Sequence, residues 1–437
     1  MAGSDQLRKL LAQATTIAQL GLPSSLAVDL VYRILFVEGD VSVARLADVS
    51  RLFPQVIDEI MVDLQHDRLV EVVKAGTLRT SYTYRLTTEG TTRARAAMER
   101  TQYVGPFPVD ITAYRKAILL QTATQQKATP SEVKQALSSL ILPENFHRRI
   151  GPAINSATSL FLYGPPGNGK TTVAQAIAKL LAGADPIWLP HAVSIGGQII
   201  QIHDPLVHIP YEDTSDYDAP TGKTGFIGVD KRWSLFQRPA VMVGGELTME
   251  ALELRFEPIT KIYEAPLQMK ANGGMFLIDD FGRQQISPQQ LLNRWIVPLE
   301  THIDYLRMQS GQTLEIPFKQ LIVFATNLDP NDLIDGAFLR RIQIKVEVSS
   351  PDEKMFYQVF SQMCQNLRVP FDRNGFLYLL QKWYREPGRV LQSVHPRDIL
   401  KTLIAICDYA GIAPLMLPEL LDEACACYFV DSKQPPK

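Results

Sequence analysis

The chain has 437 residues, 46% apolar and 21% charged, with a net charge of −2 and a pI near 6.4. That is enough chain for roughly three domains with sizeable cores. The near-neutral balance asks for neither nucleic acid nor an acidic membrane surface as a general partner.

From Leu22 to Arg100 the hydrophobic pattern is dense. "LAVDLVYRILFVEG", "VSVARLADVS" and "PQVIDEIMVDLQHDRL" read as helices, "LVEVVKAG" and "SYTYRLT" as strands, and "TTEGTTRARAAMER" as a Thr-capped closing helix. Three helices, a hairpin and a last helix resemble a winged-helix domain, placed over residues 1–105. Its candidate recognition helix, Pro54 to Gln65, carries Asp58, Glu59 and Asp63 and no lysine or arginine. Leu22 to Arg100 holds ten Lys/Arg against eleven Asp/Glu, although Arg79, Arg85, Arg93, Arg95 and Arg100 gather on the wing and last helix. A face that reads DNA needs cations for the phosphates, so a protein-interaction module is the favoured reading and a DNA reader the second.

"YVGPFPVD" is rich in Pro and Gly and marks a boundary, with a linker expected over 106–127. Helical patterns follow at "AYRKAILLQTATQQ" and "SEVKQALSSLIL", then strands and helices alternate to about Val348. Asp352 to Val430 reads as all helix. The expected architecture is therefore an α/β core with a parallel sheet over 128–350, followed by a helical domain over 351–437.

In "SLFLYGPPGNGKTTVAQAIAKLL", Ser159 to Leu181, an apolar strand feeds a Gly-rich loop that opens a helix. Gly164, Gly169, Lys170 and Thr171 match G-x-x-x-x-G-K-[ST] in that context. Gly164, Pro165, Pro166, Gly167, Asn168, Gly169, Lys170, Thr171 and Thr172 are the expected nucleotide cradle. Backbone N–H groups and the helix N-terminus would meet phosphate oxygens. Lys170 would neutralise the β- and γ-phosphates, and the Thr171 hydroxyl would hold Mg²⁺. A Gly-rich turn with an exposed lysine is the plain alternative. A second apolar strand, "GGMFLIDD", ends in two adjacent carboxylates. Like charges side by side ask for a cation, and a nucleotide-bound Mg²⁺ supplies one. Asp279 takes the metal role and Asp280 the water-activating role.

With these motifs in hand, the sequence from about Ala128 to the C-terminus resembles an AAA+ ATPase. "ANGGMFLIDDFGR" is similar to the matching stretch of the magnesium-chelatase, MoxR-like and NtrC-like branches, with Asp280 where that family usually has Glu. The shorter acid leaves slow hydrolysis open. "KQLIVFATNLDP" resembles the sensor 1 strand, making Asn327 the group that touches the γ-phosphate or the water. The preceding "HIDYLRMQSGQTLEIPF" resembles the hairpin before that sensor, with its turn at Ser310–Gly311. "LIDGAFLRRIQIKVEV" resembles the corner that carries the arginine finger, at Arg341 with Arg340 close behind. "SVHPRDILKTLIAI" resembles sensor 2, with Arg397 reaching from the helical lid to the γ-phosphate.

The resemblance implies ATP and Mg²⁺ as cofactors, β–γ bond hydrolysis, and a ring of like subunits, a hexamer, in which a neighbour supplies Arg341. It implies mechanical work on a protein partner. The alternatives are a DNA-acting ATPase and a slow-hydrolysing binding switch.

Three further signals are weaker. Phe226–Ile227–Gly228 has the form of a substrate-gripping pore loop, or of a plain strand and turn. His203 and His208 lack metal-ligand spacing. Glu246 and Arg283 are polar groups suited either to the neighbourhood of the acids or to open surface. Cys364, Cys407, Cys425 and Cys427 form no C-x-x-C pair, which fits reduced, buried thiols. The apolar stretch Leu403 to Leu417 is interrupted by Asp408 and Pro414, and the N-terminus has no h-region. A cytoplasmic protein that does not insert into a membrane is expected.

Overall fold

The computed structural model describes residues 2–156, 158–212, 228–329 and 339–429. A five-stranded sheet carries the motifs. Its order is Ala240–Val243, Met275–Ile278, Leu321–Thr326, Ser159–Tyr163 and Ile344–Glu347. Ile344–Glu347 runs parallel to Ser159–Tyr163, with Ile344 opposite Leu160 and Glu347 opposite Tyr163. Leu321 N donates to Gly274 O at one end, and Phe281 N to Ala325 O at the other, so the Met275 and Leu321 strands also run alongside in one direction. Every residue of Met275–Ile278 and Leu321–Thr326 is buried. Continuous apolar runs of this kind suit parallel strands covered on both faces. Lys170, Asp279 and Asn327 all follow the carboxyl ends of their strands, the edge at which open α/β sheets bind ligands.

The chain folds as two compact units. One comprises Met1–Ala128, Ala178–Leu277 and Gln284–Ile322. In it, helices Ser24–Glu38, Val43–Ser50 and Pro54–His66 precede the strands Val70–Lys74 and Thr83–Leu86 and the helix Thr88–Arg100. Ala27, Leu30, Val31, Ile34 and Leu35 lie along one face of the first helix, each at most 1% exposed. Ser42 and Thr87 cap the second and last helices by accepting from Arg45 N and Gly90 N.

Residues 106–127, expected as a linker, are built into this unit. Val109–Asp110 pairs with Ala192–Ile195 in a second five-stranded sheet, and Asp110 caps helix Ile111–Ala123. The reason lies in the apolar residues scattered through the Pro/Gly-rich stretch. Tyr103, Phe107 and Val109 are buried, as are Tyr114, Ala117 and Ile118 of the helix. The hairpin expected after His302 forms from Ile303–Arg307 and Thr313–Pro317, with Gly311 at φ 83° in its turn. Of the expected pore loop, Phe226 and Ile227 lie outside the described residues.

The same unit packs His191, His203 and His208 around Phe236. His208 accepts from Asp204 N through Nδ1, and Nε2 donates to Lys270 O at 3.0 Å, so the ring is held neutral. Among the described residues no cluster of three or more His, Cys, Asp or Glu side chains is arranged to hold a metal. Burial pulls His208 and His191 down to about 4 and lowers His203. An unfolded histidine takes up its proton near pH 6.5. The stability that these neutral rings contribute is therefore whole above pH 6.5 and is lost as pH falls toward 4. His208 alone, 1% exposed, should contribute about 3 kcal/mol of that loss. Urea unfolding from pH 7 to 4 should show this decline, shallower in His208→Gln, and a midpoint flat with pH would refute it.

The other unit comprises Thr129–Ile177, Ile278–Arg283 and Val323–Lys437. Its C-terminal helices Glu353–Leu367, Arg373–Leu380, His395–Ala410 and Pro418–Tyr428 close over Phe356, Phe360, Leu379, Leu403 and Leu421. Cys364, Cys407 and Cys425 are buried and Cys427 exposed, all four as free thiols. No helix among the described residues is long and apolar enough to cross a membrane.

Candidate functional site

The site lies in the second unit and begins where Ser159–Tyr163 ends. Gly164 turns there at φ 136°, and a Cβ on it would sit 2.4 Å from Val348 O. Gly167, at φ 74°, leaves only 2.6 Å between such a Cβ and Val394 Cγ1. Any side chain would be strained and would collide at both positions. The loop then opens helix Lys170–Ala182, whose first N–H groups have no partner within the helix and face the loop. Lys170 is 7% exposed, and its ammonium donates to Gly164 O and Pro165 O, both at 2.8 Å. Burial lowers its pKa, opposed by the charges of Asp280 and Asp279.

Thr171 Oγ1 lies 2.8 Å and 3.1 Å from the two carboxylate oxygens of Asp279. A hydroxyl and a carboxylate held together beside a phosphate cradle fit Mg²⁺, which takes oxygen ligands and keeps several of its waters. Asp280 turns sharply, at φ 49°, and its N–H donates to Asp279 Oδ1 at 3.0 Å. Left-handed backbone is uncommon outside glycine, and Asp tolerates it better than most side chains. Asn327 Nδ2 donates to Asp280 Oδ1 at 3.0 Å, so the second acid and the polar end of the neighbouring strand meet directly.

Two residues that sequence reasoning missed hold this turn. Phe281, 1% exposed, inserts behind the acids and stacks edge-on against Phe161 and Phe324. Thr326 Oγ1 donates to Phe281 O at 2.7 Å and accepts from Leu328 N at 3.2 Å, clamping the Asn327 end to the acid turn. Asn168, expected in the nucleotide cradle, also ties loops together: its amide donates to Ser350 Oγ and accepts from Ser393 N, linking the glycine loop to the segment before Arg397.

A cleft of about 450 Å³ collects these groups. Pro166, Gly167, Asn168, Gly169, Lys170, Thr171 and Thr172 line it together with Asp279, Asp280, Asn327 and Arg397. Arg397 is half exposed and paired with Asp398 at 2.7 Å. Gly164 and Pro165, whose carbonyls hold the Lys170 ammonium, do not line the cleft. Arg340 and Arg341 are not brought to this cleft within one chain. Ser159 Oγ donates to Arg341 O at 3.3 Å at the start of the Ser159–Tyr163 strand, the opposite edge of the sheet. Five residues of strand separate that edge from Gly164, about 16 Å. Glu246 accepts from Gly244 N at 2.9 Å, fastening its own turn.

Comparisons with known proteins give short or distant matches. A family described as a domain of unknown function, DUF8689, matches residues 352–427, the C-terminal helices. A vesicle-fusing ATPase of Dictyostelium discoideum is 42% identical over 53 residues, 12% of this chain and 7% of that protein. Similar solved structures include NtrX from Brucella abortus in complex with ATP, 15% identical with a TM-score of 0.39. It covers 77% of this chain and 69% of that one. A mutant of RuvB from Thermotoga maritima is 14% identical, with a TM-score of 0.36, over 64% of this chain and 68% of that one.

Proposed function

We propose that this chain is an AAA+ ATPase that binds Mg·ATP and hydrolyses the β–γ bond to drive work on a protein partner. The observation that carries this is the meeting of Lys170, Thr171, Asp279, Asp280, Asn327 and Arg397 in one cleft at the carboxyl edge of the sheet. Lys170 and the helix N-terminus bind phosphate oxygens. Thr171 and Asp279 hold Mg²⁺, which when bound neutralises charge on the β- and γ-phosphates. Asn327 orients the Asp280 carboxylate, which accepts the proton of the attacking water while the bridging oxygen leaves with ADP. Arg397 meets the γ-phosphate from the C-terminal helices. Arg341 of an adjacent subunit completes the site in a ring.

Mg²⁺-dependent binding of a fluorescent ATP analogue by the full chain tests the reading. Binding should weaken at least ~10-fold without Mg²⁺, and Asp279→Ala should lose most of that dependence. Tight binding indifferent to both Mg²⁺ and Asp279→Ala would overturn it.

Four arginines of the N-terminal segment support a protein partner over duplex DNA. Arg79 pairs with Asp58, Arg85 with Asp40, Arg93 with Glu89 and Arg100 with Asp29. Cations already matched by carboxylates contribute less to a phosphate-binding field. One observation favours slow turnover as a second reading. The short Asp280 side chain is engaged by Asn327 and sits on left-handed backbone, which restricts how far it reaches toward a water.

A further inference from the structure

One helical part of the cleft lining has a pattern of its own. Helix Glu353–Leu367 turns Phe356, Phe360 and Cys364 into the C-terminal core, each 0% exposed. Val359, Gln362, Met363 and Asn366, spaced i, i+3, i+4 and i+7, line the cleft instead. Ser139, Leu140, Ile141 and Leu142 complete this part of the lining. The aliphatic groups suit a flat, apolar ring. The polar groups on the helical stripe are two carboxamides one turn apart.

Their chemistry distinguishes purines. A carboxamide presents an acceptor and a donor side by side, which matches the N6 amine and N7 of adenine. Guanine presents two acceptors, O6 and N7, on the same edge and is matched by Arg or Lys. Among the described lining residues the cations are Lys170 and Arg397, and neither belongs to this stripe. Gln362 Nε2 donates to Ser139 O at 3.4 Å, which leaves Oε1 free to accept from an exocyclic amine. Resting on the ATP-binding reading above, we propose that Gln362 and Asn366 are the base-reading side chains and that they select adenine over guanine.

The test measures the affinities of the full chain for ATP, GTP and inorganic tripolyphosphate, all with Mg²⁺. ATP should bind roughly 10- to 100-fold more tightly than GTP. The double variant Gln362→Leu with Asn366→Leu should weaken ATP by about that factor. GTP and tripolyphosphate should stay within about 3-fold of wild type, because the phosphate end is untouched and the fold intact. Equal wild-type affinities for ATP and GTP overturn the proposal. So does a double variant whose ATP preference is unchanged while Lys170→Met still abolishes binding. A wild-type chain that binds neither ATP nor tripolyphosphate instead overturns the parent reading.

Discussion

Lys170→Met should abolish ATP turnover and weaken ATP binding by roughly 10²- to 10⁴-fold. The estimate follows from two charge-assisted hydrogen bonds to phosphate oxygens at about 1.5–3 kcal/mol each. The Met side chain keeps the apolar stem that fills the space under the loop, so the loss is of charge and donors rather than packing. Lys170 is nearly buried, and its ammonium holds Gly164 O and Pro165 O, so loop geometry must be checked independently. Unchanged far-UV circular dichroism and a thermal midpoint near wild type establish that. Turnover by the correctly folded variant above a few per cent of wild type would remove the proposed chemistry altogether.

The glycine-loop part of this candidate site was legible in the sequence because its signals are local. Gly164, Gly169, Lys170 and Thr171 sit within eight residues, and their spacing demands a turn that feeds a helix. The acid pair was legible because four apolar residues precede two carboxylates at a strand end. The groups that hold the pieces together were not legible. Phe281 reads as one more core aromatic until the strand order places it beside Phe161 and Phe324. Thr326 meets Phe281 across 45 positions, and Asn168 meets Ser393 across 225. Hydrogen bonds of that span depend on strand register and on how the helical segment returns, which no local pattern encodes. The built-in segment at 106–127 is a similar case. Its Pro and Gly content signals a boundary, whereas Tyr103 and Phe107 acquire their meaning only from the apolar surface they cover.

Arg341→Ala should cut turnover by roughly 10³-fold while leaving ATP affinity within about 3-fold, since binding groups distant from the change act independently. Arg341 stands at the edge of the sheet opposite its own glycine loop, about 16 Å from Gly164 by strand length. A side chain cannot cover that distance, so any part it takes in hydrolysis belongs to another subunit's cleft. A planar, permanently charged guanidinium arriving from a neighbour suits charge spread over phosphoryl oxygens. The decisive measurement co-expresses Arg341→Ala and Lys170→Met chains under different tags and purifies assemblies that carry both. Each variant alone is inactive, one for want of the guanidinium and the other for want of the ammonium. In a head-to-tail ring, random one-to-one mixing makes roughly a quarter of the interfaces competent, with an intact cleft facing an intact Arg341. Turnover in the doubly tagged assemblies should therefore recover to about that fraction of wild type. Recovery is the signature of a residue acting in trans. Doubly tagged assemblies that stay as inactive as the parents would mean that Arg341 serves only the sheet edge on which it sits.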